Sequence, residues 1–301
     1  MMNIRYSKAF KIPRTIVKNI LVFLYPLIIK IWPLPIVKSI DTTLDKLISN
    51  NCSISRFGDG EFLFLIDKLN LPFQKYEPRL AAILKQALLS EDSNVLIGLP
   101  VGYENLTGLS KSSQYTWRSQ IAWIYPRLNK YLKKDKVYYN ASITRPYMDY
   151  EDKKKSKGWF IKLKQLWERK NVLLIEGDKS RLGVGNNLFE NVLSLQRIIG
   201  PAHNAFSKYD ELKSLALKEG KYKLVLIAMG PTATALSFEL ALEGLQCIDI
   251  GNVDIEYEWF LREATSKIKI PLKYTSEAIG GRNVGDIVDG DYESQIIYKV
   301  L

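Results

Sequence analysis

Two carboxylates stand two residues apart in Arg56-Phe57-Gly58-Asp59-Gly60-Glu61-Phe62, on a turn flanked by glycine. Asp59 and Glu61 can offer oxygens to one hard divalent cation, Mn2+ or Mg2+, and such an ion bridges readily to phosphate. Arg56 is placed to reach the same anion, and Gly58 permits close approach of backbone to a ligand. An Asp ahead of a helical run is also an ordinary cap, so the triplet alone leaves both readings open.

Other polar turns carry related chemistry. Glu176-Gly177-Asp178-Lys179-Ser180-Arg181-Leu182-Gly183-Val184-Gly185-Asn186-Asn187 is long and glycine-rich. Its N–H groups, with Lys179 and Arg181, suit a phosphate, although it is neither a dinucleotide fingerprint nor a P-loop. Gly230-Pro231-Thr232-Ala233-Thr234 has the form of a strand–turn–helix phosphate site, and also that of a simple cap. Residues 249–258 carry four carboxylates, Asp249, Asp254, Glu256 and Glu258, any of which is a possible general base. Arg145, in Thr144-Arg145-Pro146-Tyr147, and Arg282, in Gly280-Gly281-Arg282-Asn283, are further anion donors. The single histidine, His203, is expected to be a packed or hydrogen-bonded residue and not the base.

These turns need a scaffold that gathers them. Strands are expected at 52–57, 94–99, 136–142, 171–176, 194–199, 223–229 and 246–250. Helices are expected at 78–89, 114–132, 159–170, 185–193, 209–217 and 232–245. The runs VLLIEG and LVLIAMG are continuous apolar strands of the buried parallel kind. The alternation predicts an α/β fold with a Rossmann-like, mainly parallel sheet flanked by helices. Ligands of such folds bind beyond the carboxyl ends of the strands, where these turns lie.

The 301 residues carry a formal charge of +11, with 47% apolar and 25% charged residues, which excludes disorder and collagen. Two cysteines, Cys52 and Cys247, exclude a disulfide scaffold and fit a reducing cytoplasm. The charge is concentrated: residues 1–40 hold seven basic and no acidic residues, and residues 151–170 hold eight basic and three acidic. The remainder is close to neutral and shows no nucleic-acid motif, so no nucleic-acid partner is expected. Residues 20–37 are strongly apolar but interrupted by Lys30 and three prolines, which argues against a spanning helix. No small-residue cleavage site follows, so a cleaved signal peptide is not expected. Residues 1–40 read as a separate arm that either contacts an anionic membrane surface or packs on the domain, and 41–301 as the catalytic domain.

From about Ile40 onward the sequence resembles the GT-D-fold bacterial glycosyltransferases, long catalogued as a domain of unknown function. The resemblance rests on RFGDGEF at 56–62, TRPY at 144–147, LLIEGDKSRLGVGNNLF at 173–189, PAHNAF at 201–206, LIAMGPTATALSFEL at 226–240 and DIGNVDIEYEWF at 249–260. It implies a Rossmann-like fold and sugar transfer from a nucleotide sugar, typically a UDP-sugar, with Mn2+ or Mg2+. The family's Asp-x-Glu motif falls on Asp59 and Glu61, implying metal and catalytic roles. Donor-site residues expected from the strand-end turns are Arg56, Gly58, Arg145, Glu176, Arg181, Gly183, Gly185, Asn186, Asn204, Gly230, Thr232 and Thr234. Two positions depart from the family pattern: Asn187 stands where an acid is usual, and Asn252 where His is expected. The acceptor class implied is a surface polysaccharide or glycoprotein glycan; the arm at 1–40 adds the expectation of a lipid-linked acceptor and of a cytoplasmic enzyme peripheral at the inner face of the plasma membrane.

Asp254 and Glu256 are the first candidates to assist the acceptor hydroxyl, with Glu176 and Asp178 behind them. Two competing classes remain: a methyltransferase-like nucleotide enzyme, with Glu176 or Asp178 on ribose hydroxyls, and an inactive membrane-associated partner of a glycosylation complex.

Overall fold

The structure, a computed structural model, describes residues 13–301. Arg5, Lys8 and Lys11 of the basic arm lie outside the described residues. Nine strands form one sheet: β1 (Ile36–Val37), β2 (Ser53–Arg56), β3 (Val95–Leu99), β4 (Val137–Asn140), β5 (Asn171–Gly177), β6 (Ser194–Gly200), β7 (Leu224–Ala228), β8 (Cys247–Asp249) and β9 (Ile296–Lys299). Their order is β1-β4-β3-β2-β8-β7-β5-β6-β9, and every pairing is parallel. The seven expected strands are all present, and β1 and β9 add an edge at each side.

The helices are α1 (Arg14–Ile31), α2 (Ile40–Asn50), α3 (Asp59–Asp67), α4 (Pro78–Leu89), α5 (Lys111–Leu128), α6 (Lys154–Lys164), α7 (Tyr209–Glu219), α8 (Pro231–Leu242), α9 (Val253–Leu261) and α10 (Gly290–Gln295). Side-chain alternation along the central strands feeds two cores. Leu173, Ile175, Val225 and Ile227 face a layer that includes α3, α4, α5, α7 and α8. Val172, Leu174, Leu224 and Leu226 face α2, α6 and α9. Because both faces of β5 and β7 are buried, their sequences cannot alternate apolar with polar.

The chain steps from β2 outward to β3 and β4, then crosses to β5, and returns to the other side of β2 only with β8. The β2–β8 boundary is therefore a switch point, where open α/β sheets carry their ligand crevice. A main-chain device keeps it open. Gly230 adopts φ 56° ahead of α8, and a Cβ there would come within 2.7 Å of the Phe73 ring. Pro231 then starts α8 with φ already suited to a helix.

One expectation needs correction. No helix forms over 185–193: Gly183 and Gly185 take left-handed φ of 77° and 73°, and the segment continues as turns into β6. The described part of the arm packs on the domain, one of the two readings given for it. α1 lies along α5, Tyr25, Ile29, Trp32 and Leu34 pack on the main core, and β1 joins the sheet beside β4. The Tyr125 hydroxyl also donates to the Pro33 carbonyl at 2.6 Å.

Candidate active site

A cleft of ≈ 910 Å3 opens over the β2–β8 boundary. Its floor is built by Arg56 at the end of β2 and Asp249 at the end of β8. The Arg56 guanidinium pairs with Asp249 at 2.8 Å and donates to the Ala141 carbonyl at 2.9 Å and the Thr144 hydroxyl at 2.6 Å. Gly251, at φ 42°, lets it pass: a Cβ there would sit 2.1 Å from Nη2. Thr234 adds a donor to the Arg56 carbonyl at 2.9 Å. Arg56 therefore knits three elements beneath the ligand space. Arg56 itself lines the cleft, half-buried, with its guanidinium already engaged by these partners.

The next turn carries the carboxylate pair. Gly58 is extended, and α3 begins at Asp59. Asp59 and Glu61 both line the cleft, half-buried, in the first helical turn, where the helix dipole favours negative charge. The Asp59 carboxylate accepts from Gln120 of α5 at 3.1 Å. One Glu61 oxygen accepts from the Gly58 N–H at 2.8 Å. Burial pushes the Glu61 carboxyl up to about 7, against its backbone hydrogen bonds and with added repulsion from Asp249 and Asp59.

The opposite wall is cationic as well as acidic. Arg145 pairs with Glu277 at 2.6 Å, and Lys267 meets the same carboxylate at 2.5 Å. Burial alone would raise Glu277, but Arg145 and Lys267 hold it well below the usual carboxylate range. Asn252, at the expected His position, donates to Glu277 at 2.5 Å. Arg145, Lys267, Asn252 and Glu277 all line the cleft, so this is a single braced group facing the ligand space.

Gly230 and Thr234 also line the cleft, as expected, but several other residues singled out from the sequence do not. Glu176 is fully buried, pairs with Arg197 at 2.5 Å and accepts from the Leu182 N–H at 2.8 Å. Arg181 is buried and donates to the Leu272 and Gly285 carbonyls at 2.8 and 2.9 Å. Glu256 is buried and accepts from the Tyr147 and Met148 N–H groups at 3.2 and 3.0 Å, where burial pushes it up to about 7. Asn186 donates to Asp254 and Glu258. The Gly183 N–H, expected to face phosphate, also donates to Asp254 at 2.8 Å, and Gly185 lies outside the cleft lining. Asn204, in a left-handed conformation, accepts from the Lys75 N–H and so pins the Phe73 loop. Thr232 is buried near Gln74. Arg282 is exposed and outside the cleft lining.

Asp254 does reach the cleft, but its oxygens are engaged by Gly183, Asn186 and Lys273, the last at 2.7 Å. Asp178 lines the cleft half-buried, with no side-chain hydrogen bond or ion pair among the described residues. His203 is exposed, edge-on to Tyr274 at 6.1 Å between ring centroids.

Gln120, Trp117, Asp149, Lys267 and Glu277 line the cleft and were missed from the sequence. Gln120 and Trp117 sit inside a helical run with nothing to mark them. Lys267 and Glu277 belong to an irregular segment without periodicity.

A parallel sheet with a paired-carboxylate turn over its switch point defines a doubly wound α/β protein. The chain belongs to the family of the glycosyltransferase GT-D fold, whose model matches residues 54–278. It is 40% identical over 264 residues to a probable glycosyl transferase, Gly, of Streptococcus gordonii, covering 87% of this chain and 38% of that protein. It is 37% identical over 266 residues to the glycosyltransferase GlyD of Streptococcus pneumoniae serotype 4, covering 88% of this chain and 32% of that one. The chain thus spans about a third of the length of these curated relatives. A solved structure described as a new glycosyltransferase from Streptococcus sanguinis superposes with a TM-score of 0.84 at 35% identity, covering 89% of this chain and all of that one. A structure described as domain of unknown function 1792, with a distinct glycosyltransferase fold, superposes with the same score at 32% identity over 96% of this chain and all of its own.

Proposed function

We propose that this protein is a metal-dependent glycosyltransferase that moves a sugar from a nucleotide sugar, a UDP-sugar by preference, to a glycan acceptor. The observation that carries the reading is the placement of Asp59 and Glu61 at the start of α3, facing the cleft over the switch point, in a chain of the glycosyltransferase GT-D fold.

The donor set fits a hard cation. Asp59 and Glu61 supply oxygens, and repulsion from Asp249 and Asp59 on Glu61 is relieved by positive charge nearby. No cluster of three or more acidic, histidine or cysteine ligands exists among the described residues. Two carboxylates plus substrate phosphates and water is the usual environment of Mg2+, so the pair suffices. When bound, Mn2+ or Mg2+ neutralises charge on the leaving diphosphate.

The protein's own groups do the rest. Gly230 and Thr234 line the cleft at the start of α8 and are the groups of this turn placed to meet phosphate. Arg145 and Lys267, held by Glu277, add fixed positive charge across the cleft, preorganised for charge that develops in the transition state. Of the four carboxylates considered for taking the acceptor's proton, Glu176 and Glu256 are outside the cleft and Asp254 is fully engaged. Asp178 remains, and is the proposed base. A lipid-linked acceptor would place the enzyme peripherally at the inner face of the plasma membrane.

Thermal-shift measurements with UDP, other nucleotides and S-adenosylmethionine, each with and without Mn2+, test the reading. UDP is expected to raise Tm, more so with Mn2+. A shift with S-adenosylmethionine alone would favour a methyltransferase; no shift with any nucleotide would favour an inactive partner.

A further inference from the structure

Among the described residues, the one long apolar face that the fold leaves uncovered is on α1. Its inner side is spent on the domain: Tyr25 and Ile29 pack on the core, and Asn19 accepts from the Tyr115 hydroxyl of α5 at 2.7 Å. Its outer side carries Ile16, Ile20, Phe23, Leu27 and Ile31, exposed by 49, 52, 83, 55 and 55%. Steps of four, three, four and four residues put all five on one stripe of the helix. Other exposed large apolar residues, such as Leu193, Tyr222 and Val288, belong to separate segments. A contiguous stripe of this kind marks an interaction surface.

The charge around it selects the partner. Residues 1–40 hold seven basic residues and no acidic one. On α1 itself Lys30 is exposed one turn from Leu27, beside the stripe, whereas the exposed Lys18 stands two turns before Tyr25 on the opposite side of the helix. A second copy of the chain, meeting this face by two-fold symmetry, would set these positive charges against each other. An anionic surface would be attracted by them. α1 has 18 residues, with Pro26 inside, and no helix among the described residues is long and apolar enough to cross a membrane. Such a helix lies in the interface plane, apolar face down and Lys30 toward the headgroups.

We propose that the outer stripe of α1 seats the protein on an anionic lipid surface. The seat is coupled to the cleft. α1 lies along α5, and the first half of α5 supplies Ser113, Thr116, Trp117 and Gln120 to the cleft wall. The wall is therefore one helix layer from the lipid. This clause alone rests on the glycosyltransferase reading, since it explains how an acceptor carried in the membrane would reach the cleft.

Vesicle flotation of the full chain tests the seat. Vesicles of phosphatidylcholine alone are compared with equal parts phosphatidylcholine and phosphatidylglycerol. The protein should float with the anionic vesicles and bind neutral ones about tenfold less. The double variant Phe23→Glu/Leu27→Glu, which alters only exposed side chains, should lose about tenfold in binding while keeping its Tm and its nucleotide-induced shift. Lys30→Glu should weaken binding to anionic vesicles and leave the weak neutral binding unchanged. Failure of the unmodified protein to float, or flotation of the Phe23→Glu/Leu27→Glu variant at the unmodified level, overturns the proposal. So does light scattering that shows a dimer converted to monomer by that variant, because the stripe is then covered by a second copy. Flotation without any sugar transfer would leave the seat standing and sink only the enzyme reading.

Discussion

The turn at 58–61 and the wall built from β5, α9 and the 181–187 loop use the same residue types for opposite ends. Both present carboxylates at strand ends. In the wall, Glu176, Asp254, Glu256 and Glu258 are each met by a cation or by backbone N–H groups, and all are buried. At the turn, Asp59 accepts from the Gln120 amide, Glu61 accepts from backbone N–H groups including that of Gly58, and both face the cleft. Charge already compensated by protein is structural; charge compensated only in part is available to a ligand.

The comparison breaks most visibly if the wall is cut. Arg197→Met leaves Glu176 buried without its cation, and the loss of stability should be about 3–5 kcal/mol, read from urea denaturation. A loss under 1 kcal/mol would mean that the wall carboxylates are no more committed than the turn. Asp59→Asn and Glu61→Gln should act the other way round. Transfer should fall about 10²–10³-fold, with the denaturation midpoint nearly unchanged. Full activity in both variants, or activity indifferent to EDTA, would remove the turn from the chemistry.

A third, smaller effect separates the two regions by pH. Burial raises Glu256 from 4.5 to about 7 in the folded state. The native protein then keeps a proton that the unfolded chain has lost, so this contribution is full below about 4.5 and is lost as pH rises through about 7. A shift of that size corresponds to at most about 3 kcal/mol. The stability difference between the unmodified protein and Glu256→Gln should therefore change across this window; a constant difference would show that Glu256 does not titrate there. The smallest effect belongs to His203. It is exposed and outside the cleft lining, so His203→Ala should move stability by less than about 0.5 kcal/mol and leave the pH–rate profile intact. Loss of a limb near neutrality would make it the base.

The sheet was legible because Val172–Ile175 and Leu224–Ile227 are buried on both faces, which leaves an unbroken apolar run in the sequence. The turn at 59–61 was legible because glycines and acids together are rare inside elements. The wall was misread for a physical reason. Glu176, Asp254 and Glu256 carry the same acidic signal as Asp59, and the cations that neutralise two of them, Arg197 and Lys273, lie 19 to 21 residues away in sequence. No local pattern announces such a partner. The same holds for α1, whose two faces look equally apolar until α5 covers one of them.

The tie between Arg56 and Asp249 spans 193 residues of sequence. On a ribosome adding about 5–20 residues per second, the first partner waits roughly 10–40 s for the second. Until β8 arrives, β2 is an open edge, with Ile54 paired to β3 on one side and to nothing on the other. A strand made late thus decides whether the carboxylates made early ever acquire a cleft to face. A nascent chain stalled before Cys247 would display an adhesive strand where the folded protein displays its cleft.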